Sequence, residues 1–142
     1  MFSESTLEPR LIQAYQAALY RVDADPSFDL KVGEASPALA QLLQRMKADC
    51  AAFFTACNPW GQQLTDAENA DRQSALKQEL NRLNLQFISG MGLDSKKVWP
   101  GEASVLILDL SLEATQALGR KYEQNAVVWS AQDAIPQLIL LK

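Results

Sequence analysis

The fold is decided by the stretch from residue 51 to residue 90, which reads AAFFTACNPWGQQLTDAENADRQSALKQELNRLNLQFISG. Residues 51–56 are apolar except for one threonine, which is typical of a strand buried on both faces. The capping-box sequence Thr-Asp-Ala-Glu opens a predicted helix over residues 65–83. Residues 85–89 predict a second strand. The crossover rule makes these two strands parallel in direction.

A second strand–helix–strand unit follows the first. Residues 104–108 are fully apolar after the leading serine, Ser111 is suited to cap a helix, and residues 125–129 predict the next strand. Residues 51–130 therefore read strand, helix, strand, strand, helix, strand, which is the order of the split βαβ, ferredoxin-like fold. We expect an α+β fold whose sheet is mixed and mostly antiparallel, with helices packed on it.

Further elements flank this core, and no linker or repeat divides the chain, so we expect a single domain over residues 1–142. The first part, about residues 5–48, predicts a helix, a hairpin and a second helix. The first helix is indicated by the spacing of Leu7, Leu11, Tyr15 and Leu19, with Ser5 or Thr6 as its cap. The hairpin joins residues 19–22 to residues 28–32. Ser36-Pro37 starts the second helix. Residues 137–141 predict a C-terminal strand.

The composition excludes several kinds of chemistry. The 142 residues include 13 basic and 17 acidic side chains, two cysteines and no histidine. Without histidine there is no Ser-His-Asp or Cys-His pair and no imidazole base. Two cysteines outside a CxxC spacing provide neither a four-thiolate metal site nor a thioredoxin-like motif. The net charge of −4 argues against nucleic-acid binding.

The expected location is the cytoplasm. The first residues, MFSE, lack the basic and apolar regions of a signal peptide. The longest apolar-leaning run, residues 50–57, is much shorter than the ~20 residues needed to cross a bilayer. We therefore expect no membrane partner, and we expect both cysteines to be reduced.

Polar and aromatic residues collect at one edge of the predicted sheet. The end of the first strand, the start of the long helix, the 90–102 connection and the start of the strand at residue 125 all fall there. We predict a site for a small anionic or polar ligand, with Arg72 as a fork for negative charge and Trp99 as a stacking surface. The predicted ligand-binding residues are Asn58, Asn69, Arg72, Trp99, Ser104, Gln124 and Asn125.

Any proton transfer in this chain must use a carboxylate. Glu68 and Glu102 lie at the same edge and are the candidates, and burial would have to raise the pKa of the one that acts near neutral pH. No recognised oxygen-ligand spacing suggests a metal, and no cofactor motif is present. Binding is favoured over catalysis. The alternative is a protein-interaction or homodimerisation module that uses exposed strands.

The first two turns of the long helix are polar on the face that later becomes apolar. Asn69, Arg72 and Gln73 precede Leu76 on this face. Either these turns overhang the sheet and are solvated, or they line a polar cleft. The sequence alone leaves both interpretations open.

The same residues resemble a bacterial family known as domain of unknown function 3293. The resemblance runs over nearly the whole chain, and it implies no particular activity. It also argues against Cys57 as a nucleophile, because the family accepts other apolar or aromatic residues there. The positions that carry it are Thr55-Ala56, Asn58-Pro59, Asp66, Glu68-Asn69, Arg72, Gly90, Gly92, Trp99-Pro100, Glu102, Ser104, Gly119-Arg120, Tyr122 and Gln124-Asn125-Ala126.

Overall fold

The computed structural model describes residues 6–94 and 101–142. These residues form four helices and seven strands, with a short 3-10 turn at Pro59–Gly61. They are α1 (Pro9–Ala17), β1 (Leu19–Val22), β2 (Phe28–Leu30), α2 (Pro37–Met46), β3 (Ala51–Phe54), α3 (Asp66–Arg82), β4 (Phe87–Leu93), β5 (Glu102–Leu108), α4 (Leu112–Lys121), β6 (Ala126–Ser130) and β7 (Gln137–Leu140).

The seven strands form one sheet in the order β2-β1-β4-β5-β3-β6-β7. Every neighbouring pair is antiparallel, so the prediction of a mixed sheet is wrong. The physical reason is the insertion of one strand between each helix-linked pair. β5 lies between β3 and β4, and β3 lies between β5 and β6, so strands with the same direction never share hydrogen bonds.

Both faces of the central strands are buried, which explains why these strands are apolar without alternation. Phe53 packs in a cluster with the leucines of α2. Its neighbour Phe54 points to the opposite face and packs with Leu76 of α3 and Leu118 of α4. The structure is thus layered, with α2 on one face of the sheet and α3 and α4 on the other.

Local hydrogen bonds start three of the helices as their sequences predict. The Ser36 hydroxyl accepts a hydrogen bond from Leu39 N at 3.1 Å, and the Ser111 hydroxyl accepts one from Ala114 N at 3.1 Å. The reciprocal bonds of the capping box between Thr65 and Glu68 are both present. α1 differs, because its N-cap is Glu8 and makes no side-chain cap bond. The predicted cap Thr6 is therefore wrong, and Ser5 lies outside the described residues.

β4 is longer than its sequence suggests. The sequence predicts that this strand ends at residue 89 and that a connection follows from residue 90, but β4 continues through Leu93, and residues 95–100 lie outside the described residues. Gly90 pairs with Val22 of β1 on one side and with Ser104 of β5 on the other. A Cβ atom at this glycine would clash with the carbonyl oxygen of Arg21. Gly90 therefore allows close strand packing rather than a loop.

β3 is shorter than expected and ends at Phe54, two residues before the predicted end. The chain then turns toward α3, and this turn positions the site described below. No helix in residues 6–94 or 101–142 is long and apolar enough to cross a membrane.

Candidate ligand site

A cavity of about 510 Å³ lies between α1 and the end of the sheet at which β3 finishes. Its volume falls within the ~300–1,000 Å³ typical of small-molecule sites. Its walls come from α1, from the ends of β3 and β4, from the starts of β5 and β6, and from the first two turns of α3. The cavity therefore lies at the sheet edge at which the chain order gathers the polar residues.

The structure brings most of the predicted site residues to this cavity. Those that line it are Asn58, Asn69, Glu102, Ser104, Gln124 and Asn125. Arg72 and Glu68 are not in the lining, and Trp99 lies outside the described residues. Asn69 and Gln73 both line the cavity, so the polar first turns of α3 face a polar cleft at these two positions.

Asn58 is the centre of a hydrogen-bonded network. Its backbone has left-handed dihedrals (φ 50°, ψ 66°), which asparagine tolerates better than most residues. Its Nδ2 donates to Glu102 Oε2 at 2.9 Å, and its Oδ1 accepts from Leu64 N at 3.0 Å and from Asn69 Nδ2 at 2.9 Å. The Asn58 backbone N–H donates in turn to Asn69 Oδ1 at 2.9 Å. Asn58 and Asn69 thus hold the Glu102 carboxyl in place.

The two candidate carboxylates have opposite environments. Burial raises the pKa of Glu102, and the hydrogen bond from Asn58 offsets part of this rise. The carboxylate of Glu68 accepts hydrogen bonds from the backbone N–H and hydroxyl of Thr65, which lower its pKa. Glu68 is thus committed to the helix cap, and Glu102 is the one of the two that faces the cavity.

Arg72 binds the protein's own backbone. Its Nε donates to Ala56 O at 2.6 Å and its Nη2 to Tyr122 O at 2.6 Å, while Nη1 lies 3.7 Å from a Glu123 carboxylate oxygen. The guanidinium fork joins the segment after β3, the helix α3 and the end of α4. This geometry does not favour the anion contact predicted for Arg72.

Two buried carboxamides in the lining each have a polar atom without a partner. Gln73 Oε1 accepts from Ala56 N at 3.1 Å, but no partner for its Nε2 exists among the described residues. Asn125 Nδ2 lies 3.4 Å from the Tyr15 hydroxyl, and its Oδ1 likewise lacks a donor. Both side chains are only 5% exposed. Gln124 differs, because its Nε2 donates to Cys57 O and to Tyr122 O, both at 3.1 Å.

Two tyrosines complete the site, and sequence reasoning did not identify them as site residues. The Tyr20 hydroxyl donates to the Tyr15 backbone carbonyl, and the Tyr20 ring packs edge-on against Phe53 at a centroid distance of 5.3 Å. Burial raises the pKa of Tyr15, with a smaller contribution from the negative charge of Glu102. Tyr15 follows the apolar spacing of its helix, so no sequence signal separates it from an ordinary core aromatic residue.

The charged side chains of the cavity are acidic. Glu102, Asp66 and Asp94 line it, whereas no lysine or arginine of the described ranges does. No group of three histidine, cysteine or carboxylate side chains in these ranges could hold a metal ion. The cavity therefore offers hydrogen-bonding groups and negative charge rather than an anion site.

Comparison with known families gives one match. Residues 54–127 match the family described as Protein of unknown function (DUF3293). The chain belongs to this family. The DUF3293 match begins at the end of β3 and finishes inside β6, so it includes Asn58, Glu102 and Asn125. No curated protein and no solved structure matches the chain significantly.

Proposed function

We propose that this DUF3293 protein binds a small polar ligand in the cavity beneath α1. The supporting observation is a pair of buried atoms in the cavity lining, Gln73 Nε2 and Asn125 Oδ1, that have no partner within residues 6–94 and 101–142. A buried polar group without a partner costs about 1–3 kcal/mol. A ligand with one acceptor and one donor in the right places would remove both costs.

The remaining walls indicate that the ligand also has an apolar part. Leu11, Ala14, Tyr20, Phe53 and Leu138 all line the cavity. Apolar walls with a few positioned polar groups are the usual composition of a small-molecule site. The proposed ligand is thus amphipathic and compact.

Binding fits the lining better than nucleophilic catalysis does. Cys57 is the thiol in the lining, and its Sγ donates to the carbonyl of Ala103 at 3.6 Å. Burial raises its pKa, which disfavours the reactive thiolate. Glu102 is the residue for acid or base work if the ligand is also a substrate.

The test compares the wild-type protein with a variant whose cavity is filled. Gly92 lines the cavity, and a Cβ atom there would have no neighbour closer than 3.9 Å, so Gly92→Leu places a side chain in the empty space. The matched control is Ser89→Leu, which changes an exposed residue of the same strand outside the lining. Two-dimensional amide NMR is recorded while small amides, amines, alcohols and carboxylates are titrated separately into each protein.

We expect at least one of these compounds to shift the resonances of Tyr15, Glu102 and Asn125 in wild type and in Ser89→Leu, and to leave Gly92→Leu unchanged. If no compound binds, or if binding is the same in Gly92→Leu, the ligand proposal is refuted. The alternative of an interaction module would then be tested by light scattering for a dimer.

We also infer that the core is ferredoxin-like and that the chain is a single domain. The supporting observation is the order β4-β5-β3-β6, in which each helix-linked pair of strands encloses one strand of the other pair. A single cooperative unfolding transition by circular dichroism and tryptophan fluorescence would support one domain, and two separate transitions would contradict it. The proposed cytoplasmic location agrees with the free thiols of Cys50 and Cys57.

A further inference from the structure

We propose that the ligand of this cavity is an organic cation, with an ammonium, amidinium or guanidinium group placed against Glu102. This inference rests on the proposed function and specifies the class of ligand. It differs from the anionic ligand that the sequence suggested, because Arg72 does not face the cavity.

The Glu102 carboxyl has a fixed position in the cavity lining. It is held at the cavity wall by Asn58, which is in turn fixed by Asn69 and by Leu64 N. In the described part of the chain no lysine or arginine forms an ion pair with it. A buried carboxylate is costly unless it is paired. A cation supplied by the ligand would provide this pairing.

The cavity lining holds two residues with hydrogen-bond acceptors for a ligand, Glu102 and Asn125. No donor among the described residues reaches the buried Asn125 Oδ1, and Nδ2 of the same carboxamide lies 3.4 Å from the Tyr15 hydroxyl. A ligand with several N–H donors can bond to the acceptors of both residues, whereas an anion, which offers acceptors rather than donors, cannot.

Part of the cavity wall is aromatic. Tyr15, Tyr20 and Phe53 all line the cavity, and the last two rings are edge-on to each other. Aromatic rings attract desolvated cations through the negative charge on their faces. Aromatic rings beside a carboxylate are a combination that suits an organic cation with an apolar body. Gln73 Nε2 is then available for an acceptor elsewhere on the ligand.

The experiment uses three probes of nearly the same shape and different charge. Benzamidinium is a cation, benzamide is neutral and benzoate is an anion, and each has a planar group on one benzene ring. Each is titrated into the full chain and its Kd is obtained from amide NMR shifts. Wild type is compared with Glu102→Gln, and the control is Glu68→Gln. This control removes the same charge from an exposed residue outside the lining, and glutamine can also serve in a capping box.

We expect wild type to bind benzamidinium about tenfold more tightly than benzamide, the factor that corresponds to ~1.4 kcal/mol, and to show no saturable binding of benzoate. Glu102→Gln should lose the preference for benzamidinium, and Glu68→Gln should keep it. If Glu102→Gln does not fold, the order of the three probes on wild type decides the question.

The outcomes separate this inference from the function on which it rests. If benzamide or benzoate binds wild type as tightly as benzamidinium does, the cation inference is refuted and a ligand site remains. Benzamidinium binding that is equal in wild type and Glu102→Gln also refutes it. If none of the three probes binds and the wider set of compounds fails as well, the proposed function is refuted along with the inference.

Discussion

Replacing Arg72 with alanine should destabilise the fold, even though the sequence suggested a ligand contact. The guanidinium donates to Ala56 O and Tyr122 O, both at 2.6 Å, and so joins two segments that are far apart in the chain. A hydrogen bond from a charged donor contributes ~1.5–3 kcal/mol. The Arg72 side chain is 25% exposed, so in the variant water replaces part of the hydrogen bonding that the guanidinium gave to the two carbonyls.

We therefore expect Arg72→Ala to lose about 3 kcal/mol of the free energy of unfolding, which corresponds to a fall of roughly 10 °C in Tm for a chain of this length. The contact with Glu123 adds little, because its atoms are 3.7 Å apart and that carboxylate is half exposed. Arg72→Lys keeps the charge but not the two-pronged geometry, so it should recover about half of the loss.

Urea unfolding followed by circular dichroism measures these differences. Arg45→Ala is the control, because Arg45 is an exposed arginine in the last turn of α2, and it should change stability by less than ~0.5 kcal/mol. The structural role of Arg72 is refuted if Arg72→Ala is as stable as Arg45→Ala. The anion contact would be supported if, in addition, Arg72→Ala failed to bind a small carboxylate that wild type binds.

Three further predictions follow from the strands and from α1. Gly90→Ala should lose about 2–3 kcal/mol of stability, measured by urea unfolding, because the new methyl group would collide with Arg21 O and the Phe53 ring. Gly92→Ala should have nearly wild-type stability, and equal losses in the two variants would contradict the close packing at Gly90. Glu102→Gln should be more stable than wild type at neutral pH. Because the pKa of Glu102 is raised in the folded protein, its favourable contribution to stability is present at acid pH and is lost as the pH rises through the folded-state pKa. The difference in stability should vanish at acid pH, and a variant that is less stable than wild type at neutral pH would disprove the prediction. The amides of α1 should exchange hydrogen faster than those of α3, because α1 has no buried residue whereas α3 buries Gln73, Leu76 and Leu80. Equal protection of the two helices would contradict this.

The helix starts and strand positions of this chain are largely predictable because they depend on near neighbours. The cap at Ser36 and the capping box of Thr65 and Glu68 use hydrogen bonds between residues three apart. The apolar runs of β3 and β5 predict buried strands even when the neighbouring strands of the sheet are not known. The end of β4 is harder to predict, because a glycine such as Gly90 is also typical of a turn. Its role in the strand is evident only from its pairing with β1 and β5.

The candidate site was predictable in its location but not in its chemistry. Chain order alone places the residues of one sheet edge together, and Asn58, Asn69, Glu102 and Asn125 do line one cavity. The chemistry of the cavity depends on which atoms of these residues already have hydrogen-bond partners. Those partners come from distant parts of the chain, so no local sequence pattern predicts them.

By itself, the sequence determined the types of secondary structure, the absence of imidazole chemistry and the edge at which a site would form. Only the tertiary structure decided which polar groups at that edge are already bonded to other parts of the chain. Arg72 finds its carbonyl partners 16 and 50 residues away, and Glu102 finds Asn58 at a separation of 44. Capping and periodicity act over three or four residues, whereas a buried side chain bonds to whatever the folded chain brings within about 3 Å of it.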